Sequence, residues 1–226
     1  MHPIRHLPLL VLALSSACKE AELTDLPNQP GGNPIVASVA MLPFPSDFYL
    51  EDAATTHTGR RVSIPDEALP EGLPSTLMER DDGFSRIPAI LTWLKGGVDP
   101  SSLPAMDDPS ASLDPASTVQ LVRAETWERV PDLPEDERQA DDMEDQSVIV
   151  RPRVALDPDA GYVVILTDGL RDADGGTHTP TEAFRALRDG IGTDSDAVEA
   201  QREDFELVHA ALDAVELDPE TILQGW

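Results

Sequence analysis

Short runs of alternating or continuous apolar residues, bounded by proline, glycine and aspartate, recur along this chain and predict strands. The strongest lies at residues 147–173, SVIVRPRVALDPDAGYVVILTDGLRDA. Residues 147–152 are short and β-branched. Residues 156–161, LDPDAG, carry turn chemistry: proline presets φ, and aspartate and glycine tolerate a tight backbone. Residues 162–167, YVVILT, form a near-continuous apolar run of the kind buried in a sandwich core. Period two puts Tyr162, Val164 and Leu166 on one face, with Val163 and Ile165 on the other. Residues 172–176 make another turn.

Weaker strand patterns fall at residues 35–42, 59–65, 87–94 and 118–123, with 127–130 as a hairpin return. Trp93 is expected in the core. Residues 43–50, PFPSDFYL, hold two prolines and three aromatic rings, and these rings are expected to pack on the sandwich. Helical spacing appears late. Residues 181–188 predict a short helix capped by Thr181, and residues 75–79 a helical turn. Residues 194–216 predict the best helix, capped by Asp194 or Ser195, with Val198, Phe205, Val208, Leu212 and Val215 on one stripe. Residues 222–226 then begin a further strand. At five residues ending on a large aromatic this strand is short, and the expectation is either a sandwich lacking most of its closing strand, with a neighbouring strand edge open to another chain, or a polypeptide that continues past Trp226.

Composition adds to this picture. With 226 residues and 40% hydrophobic content the chain can build a real core. Its 21 prolines and 4% aromatics favour a loop-rich β protein over a helical bundle. The net charge of −27, from 43 acidic and 16 basic residues, repels phosphate backbones and anionic headgroups. That argues against nucleic acid and against electrostatic membrane docking. Residues 132–145, DLPEDERQADDMED, are expected to remain a solvated loop.

The N-terminus predicts export. An apolar run at residues 7–14, too short to span a bilayer, is followed by small residues 15–17 and then Cys18, the single cysteine. This resembles a bacterial lipoprotein signal, in which the thiol is lipidated. Ser15 stands where such signals usually have leucine. The resemblance implies Cys18 as a lipid anchor in the membrane, and Lys19 in place of aspartate leans towards the outer membrane. Residues 1–17 are thus the signal peptide and 18–33 the anchor and flexible tether. Residues 34–192 are the sandwich with long loops, and 193–226 the helix with the start of a further strand.

Four stretches together resemble a family: residues 42–50, 56–65, the pair 81–85 and 96–104, and 151–176. In this order they are similar to the N-terminal Ig-like module of bacterial virulence-factor lipases and related myxobacterial-type lipoproteins. The resemblance implies a mainly β, Ig-like β-sandwich with a C-terminal amphipathic helix. In longer relatives the module precedes an α/β-hydrolase domain, whose catalytic residues have no counterparts here.

The chain's own residues yield no catalytic, cofactor or metal assignment. Ser85 lies in GFSRI, which lacks the second glycine of a nucleophile elbow. His57, His178 and His209 lack metal-ligand spacing. Asp168, Asp172 and Asp174 fail the register of a calcium loop, because alignment on Gly175 puts Leu170 and Thr181 at the first and twelfth positions. Two expectations follow. One is a non-catalytic, lipid-anchored interaction or spacer module with an envelope partner. The other is the accessory portion of a secreted lipase or esterase, separated from its hydrolase domain.

Overall fold

The computed structural model describes residues 20–27, 30–37, 41–69 and 72–226. Cys18 and the signal segment lie outside them. In chain order the elements are β1 (Leu50–Asp52), β2 (Arg60–Val62), β3 (Ile90–Thr92), β4 (Val119–Arg123), β5 (Arg129–Val130), β6 (Asp132–Asp136), β7 (Val148–Pro152), β8 (Tyr162–Thr167), α1 (Glu182–Arg188), α2 (Asp196–Glu199), α3 (Arg202–Ala214) and β9 (Ile222–Gly225). The described residues are mainly β, with nine strands in three antiparallel sheets and three α-helices.

β8 is the axis of the molecule. Its two faces feed two cores, as the period-two pattern predicts. Val164 and Leu166 pack with Ile90, Val148 and Val150 of the three-stranded sheet β3-β7-β6. Val163 and Ile165 pack with Phe184, Phe205, Val208 and Leu212 of the helices. The four-stranded sheet β5-β4-β8-β9 is thus the middle layer between a second sheet and a helical layer. Burial on both sides explains why residues 162–167 read as continuously apolar.

β7 and β8 belong to different sheets, so the turn-rich segment between them is a crossing and not a hairpin. Leu156 anchors the crossing: its side chain is buried in the inter-sheet core, and its N–H donates to the Arg86 carbonyl at 2.7 Å.

The acidic stretch departs from expectation. Residues 132–136 form β6, paired with β7 in the register Asp132↔Pro152 to Asp136↔Val148. β7 needs a hydrogen-bonding partner on that side, and an edge strand can accept Pro134 because one row of amides goes unused. β6 follows β5 after the single residue Pro131, so the chain bends there from the edge of one sheet to the edge of the other. On the opposite side Gln224 of β9 clasps β3. Thr92 Oγ1 donates to Gln224 Oε1 at 2.6 Å, and Gln224 Nε2 donates to the Trp93 carbonyl at 2.9 Å. Trp93 itself is half-buried; its indole N–H donates to the Glu144 carbonyl.

The long helix is also interrupted. α2 and α3 are separated at Ala200 and Gln201, where the Gln201 carboxamide turns back to the Ala197 carbonyl at 3.0 Å. The apolar stripe survives the break, with Val198, Phe205, Val208, Leu212 and Val215 all buried. Thr181 caps α1 as expected, accepting from Phe184 N–H, whereas Ser195 makes no side-chain cap to α2. β9 forms where a strand was expected to begin and pairs with β8, with a bulge at Leu166 and Thr167.

The described residues of 35–42 do not form a strand. Asn33 Oδ1 accepts the Ile35 N–H at 3.1 Å and turns the chain, so Ile35 and Val36 plug the helical core instead. Residues 20–27, expected as free tether, lie against the domain. Ala21 bridges Thr193, and Thr24 and Asp25 pair with the Glu182 carboxylate and amide at the start of α1.

The described residues of 41–84 pack around a small core of their own. Tyr49, Val62, Ile64 and Leu69 are buried together, with Phe44, Phe48 and Phe84 beside them. The aromatic stretch therefore nucleates a satellite cluster, and Phe44 also touches the helical core.

Candidate functional site

A groove of about 1100 Å³ opens where this satellite cluster meets the sandwich. Its floor is β8 at Val163 and Val164, with Gly225 and Trp226 beside them. One wall is α3, presenting Phe205, Leu207 and Val208. The other wall is the loop layer, presenting Phe48, Phe84 and Pro88. Phe84 is held by an edge-to-face contact with Phe44 at 5.4 Å, and Phe205 by one with Phe184 at 5.7 Å. The Trp226 indole N–H donates to the Pro45 carbonyl at 2.8 Å and fastens the floor to the loop wall. A concave space of this size that joins apolar walls to charged side chains, here six aspartates and three arginines, has the form of a binding site.

Asp47 and Asp204 bring charge into the groove from opposite walls. Asp47 starts a 3-10 turn that Ser46 caps, and Asp204 lies in the first turn of α3. Crowding by protein raises the Asp47 pKa, and the negative charge of Asp204 raises it further; Arg60 acts in the other direction. The Arg60 Nε is buried without a hydrogen-bond partner, and its nearest carboxylate, Asp52, stands 4.0 Å away. At the mouth, exposed His57 faces Asp159 with Nε2 and Oδ2 3.7 Å apart.

Of the residues weighed from sequence, Ser85 and His57 line this groove. The Ser85 hydroxyl is engaged with the Ile87 amide at 3.2 Å. His209 packs on Phe205, and His178 lies in the segment leading to α1. Asp172 is spent inside its own turn, its Oδ1 accepting from Asp174 N–H and Gly176 N–H at 3.0 and 2.7 Å. Among the described residues no three His, Cys, Asp or Glu side chains gather as a metal site. None of the described helices is long and apolar enough to cross a membrane.

Sequence reasoning missed Asp47, Asp204 and Arg60, because only the fold brings them to one groove. It also missed Asp132, which faces inward from β6 and is 2% exposed. Neither carboxylate oxygen has a well-formed hydrogen bond. Burial pushes its pKa up to about 7, against the pull of the Leu121 amide and the Arg153 guanidinium. Its one legible signal is its place directly after Pro131, at the bend between sheets.

A scan against protein-family models and a search of curated proteins gave no match to this chain.

Proposed function

We propose that this chain is a non-catalytic β-sandwich module of an exported lipoprotein, anchored through Cys18 and acting by binding a partner in the groove between α3 and the loop layer. The observation that carries the reading is the groove itself. Its walls are apolar side chains held by ring contacts and by the Trp226–Pro45 hydrogen bond, so the site is formed before any partner arrives. The signal-like N-terminus and the resemblance to the Ig-like module of virulence-factor lipases support the envelope setting. A photo-crosslinking amino acid placed at Leu207, in the groove, should capture an envelope protein in intact cells, while the same probe at exposed Val154 should not. Equal capture at both positions, or none at Leu207, overturns the reading. Labelled palmitate should enter the wild type and vanish in Cys18→Ser; equal labelling of both removes the anchor.

A second reading makes the partner an α/β-hydrolase domain. It is favoured by Ile87, an aliphatic side chain 73% exposed beside groove residues Arg86 and Pro88, which a domain-sized interface would cover. A Gly-x-Ser-x-Gly hydrolase in the neighbouring downstream reading frame supports this version.

A further inference from the structure

The segment that follows the proposed anchor is strapped along α1. Its exposure alternates, with Ala21, Leu23 and Asp25 half-buried and Glu22 and Thr24 exposed. Burial at every second residue is that of an extended chain lying on a surface. Leu23 packs against the helical core that holds Phe184, Leu187 and Val198. At one end the Ala21 N–H donates to the Gly192 carbonyl at 2.8 Å, and the Asp194 N–H donates to the Ala21 carbonyl at 3.3 Å. At the other end the Glu182 carboxylate accepts from the Thr24 N–H at 2.6 Å and from its hydroxyl at 3.0 Å. Glu182 in turn donates its N–H to Asp25 Oδ2 at 2.9 Å. The strap therefore runs antiparallel to α1, entering at the turn after Arg188 and leaving at Glu182.

This direction fixes where an anchor sits. Cys18 precedes Ala21 by three residues, and three extended residues reach at most about 11 Å. The attachment point is thus held close to the turn between α1 and α2, where Ile191 is 44% exposed. Arg202 braces that turn from α3, donating to the Ile191 carbonyl and pairing with Glu199. Arg188, the last residue of α1, donates to the Ile222 carbonyl at 3.4 Å, and Ile222 pairs with Thr167, the last residue of β8. The turn therefore stands at the Thr167 end of the middle sheet. The β7–β8 crossing lies at the Tyr162 end, where the Asp157 N–H donates to the Tyr162 hydroxyl at 2.8 Å. Exposed Val154 and the groove mouth at Asp159 belong to that crossing. The six residues of β8 separate the two ends by roughly 20 Å. The exposed carboxylates of Glu20, Glu22 and Asp194 near the turn give no attraction to anionic headgroups, so contact with a bilayer depends on the anchor.

We infer that residues 21–25 are an orienting strap: in a chain lipidated at Cys18 they hold the turn between α1 and α2 on the bilayer and point the groove mouth away from it. This rests on the anchor at Cys18 proposed above. The module then does not swing on a loose tether. It stands on the membrane by one end, and a partner reaches the groove from the aqueous side.

The test uses the full chain, acylated in cells, purified and placed in phosphatidylcholine vesicles that carry a head-group nitroxide lipid. Cys18 is the chain's single cysteine, so once it is acylated an introduced cysteine is the one thiol open to a fluorophore. A fluorophore at Ile191→Cys should be quenched several-fold more than one at Val154→Cys. A flexible Gly-Ser insert of about ten residues after Glu20 leaves the strap in place but frees the anchor from it. The insert should bring the two signals together without changing the melting temperature. The double variant Ala21→Pro, Leu23→Asp, which removes the N–H bonded to Gly192 and the apolar contact, should do the same by releasing the strap. Equal quenching at the two positions of the uninterrupted chain overturns the orientation. A contrast that survives the insert overturns the role of the strap, because the surface itself then sets the orientation. Palmitate on Cys18 with equal quenching sinks this inference alone. Absence of palmitate on Cys18 sinks the anchor and the orientation with it.

Discussion

The two walls of the groove are built in opposite ways. The α3 wall belongs to a periodic structure: its buried residues fall on one helical stripe and pack on β8, itself alternating between two cores. The loop wall has almost no periodicity. Its strands β1 and β2 are three residues each, and it is held by a satellite core and by side chains that grip backbone. The Ser46 hydroxyl accepts from the Phe48 N–H, Thr56 donates to the Arg60 carbonyl at 2.7 Å, and Thr58 donates to the Asp82 carbonyl at 2.6 Å. The periodic half derives its stability from shared cores, and the aperiodic half from its own small core and from local bonds. The groove arises at the seam, where apolar residues from both sides face a space neither fills.

The comparison breaks most sharply under a charge placed in each half. Val164 is 4% exposed between the two sheets, and Val164→Asp buries an unpaired carboxylate there, costing several kcal/mol out of a typical total of about 5 to 15. Ile87, 73% exposed in the loop half, should tolerate Ile87→Asp within about 0.5 kcal/mol. Urea denaturation of the two variants decides. If Val164→Asp melts like the wild type, β8 is not the axis of the fold.

Asp132 sharpens the contrast through pH. Its pKa is raised to about 7 in the folded chain from an ordinary 3.8. The folded state therefore holds a proton that the unfolded state releases, and stability falls as pH rises from about 4 through 7. The loss is at most roughly 4 kcal/mol over that window. Asp132→Asn keeps the shape without the titration, so the variant should match the wild type near pH 4 and melt higher at pH 8. Asp47 is raised in the same direction but opens to the groove, so Asp47→Asn should show a much weaker slope. Parallel pH profiles for wild type and Asp132→Asn would remove Asp132 as the cause.

Legibility in the sequence follows the same division. The two faces of β8, the turn at Asp172, the stripe of α3 and the cap at Thr181 rest on spacing within a few residues, which a sequence displays directly. Three features were hidden because they depend on distant partners. β6 lies in a run of carboxylates that read as solvated, yet β7 required an edge partner and recruited it. The strand–turn–strand pattern of β7 and β8 was legible, but a turn sequence does not reveal whether the chain returns to the same sheet. The groove depends on Asp47 meeting α3, and no local pattern encodes that meeting.

The smallest effect lies at a contact inside the periodic half, where the turn at Ile35 meets α1. The Thr181 hydroxyl accepts from Phe184 N–H at 3.2 Å, capping α1, and donates to the Ile35 carbonyl at 3.0 Å in the turn that Asn33 begins. Thr181→Ala removes the cap and leaves a carbonyl without its donor. A lost cap of this type costs typically about 1 kcal/mol. Ser195 occupies the corresponding place before α2 and makes no cap, so Ser195→Ala should cost close to nothing. Thr181→Ser keeps the hydroxyl and should recover most of the loss. Amide exchange adds a second readout: Phe184 should exchange faster in Thr181→Ala and recover in Thr181→Ser, while Val198 should be indifferent to Ser195→Ala. Equal destabilisation by the two alanine variants would mean that the hydroxyl contacts are incidental and that the turn at Ile35 and Val36 is held against α1 by packing.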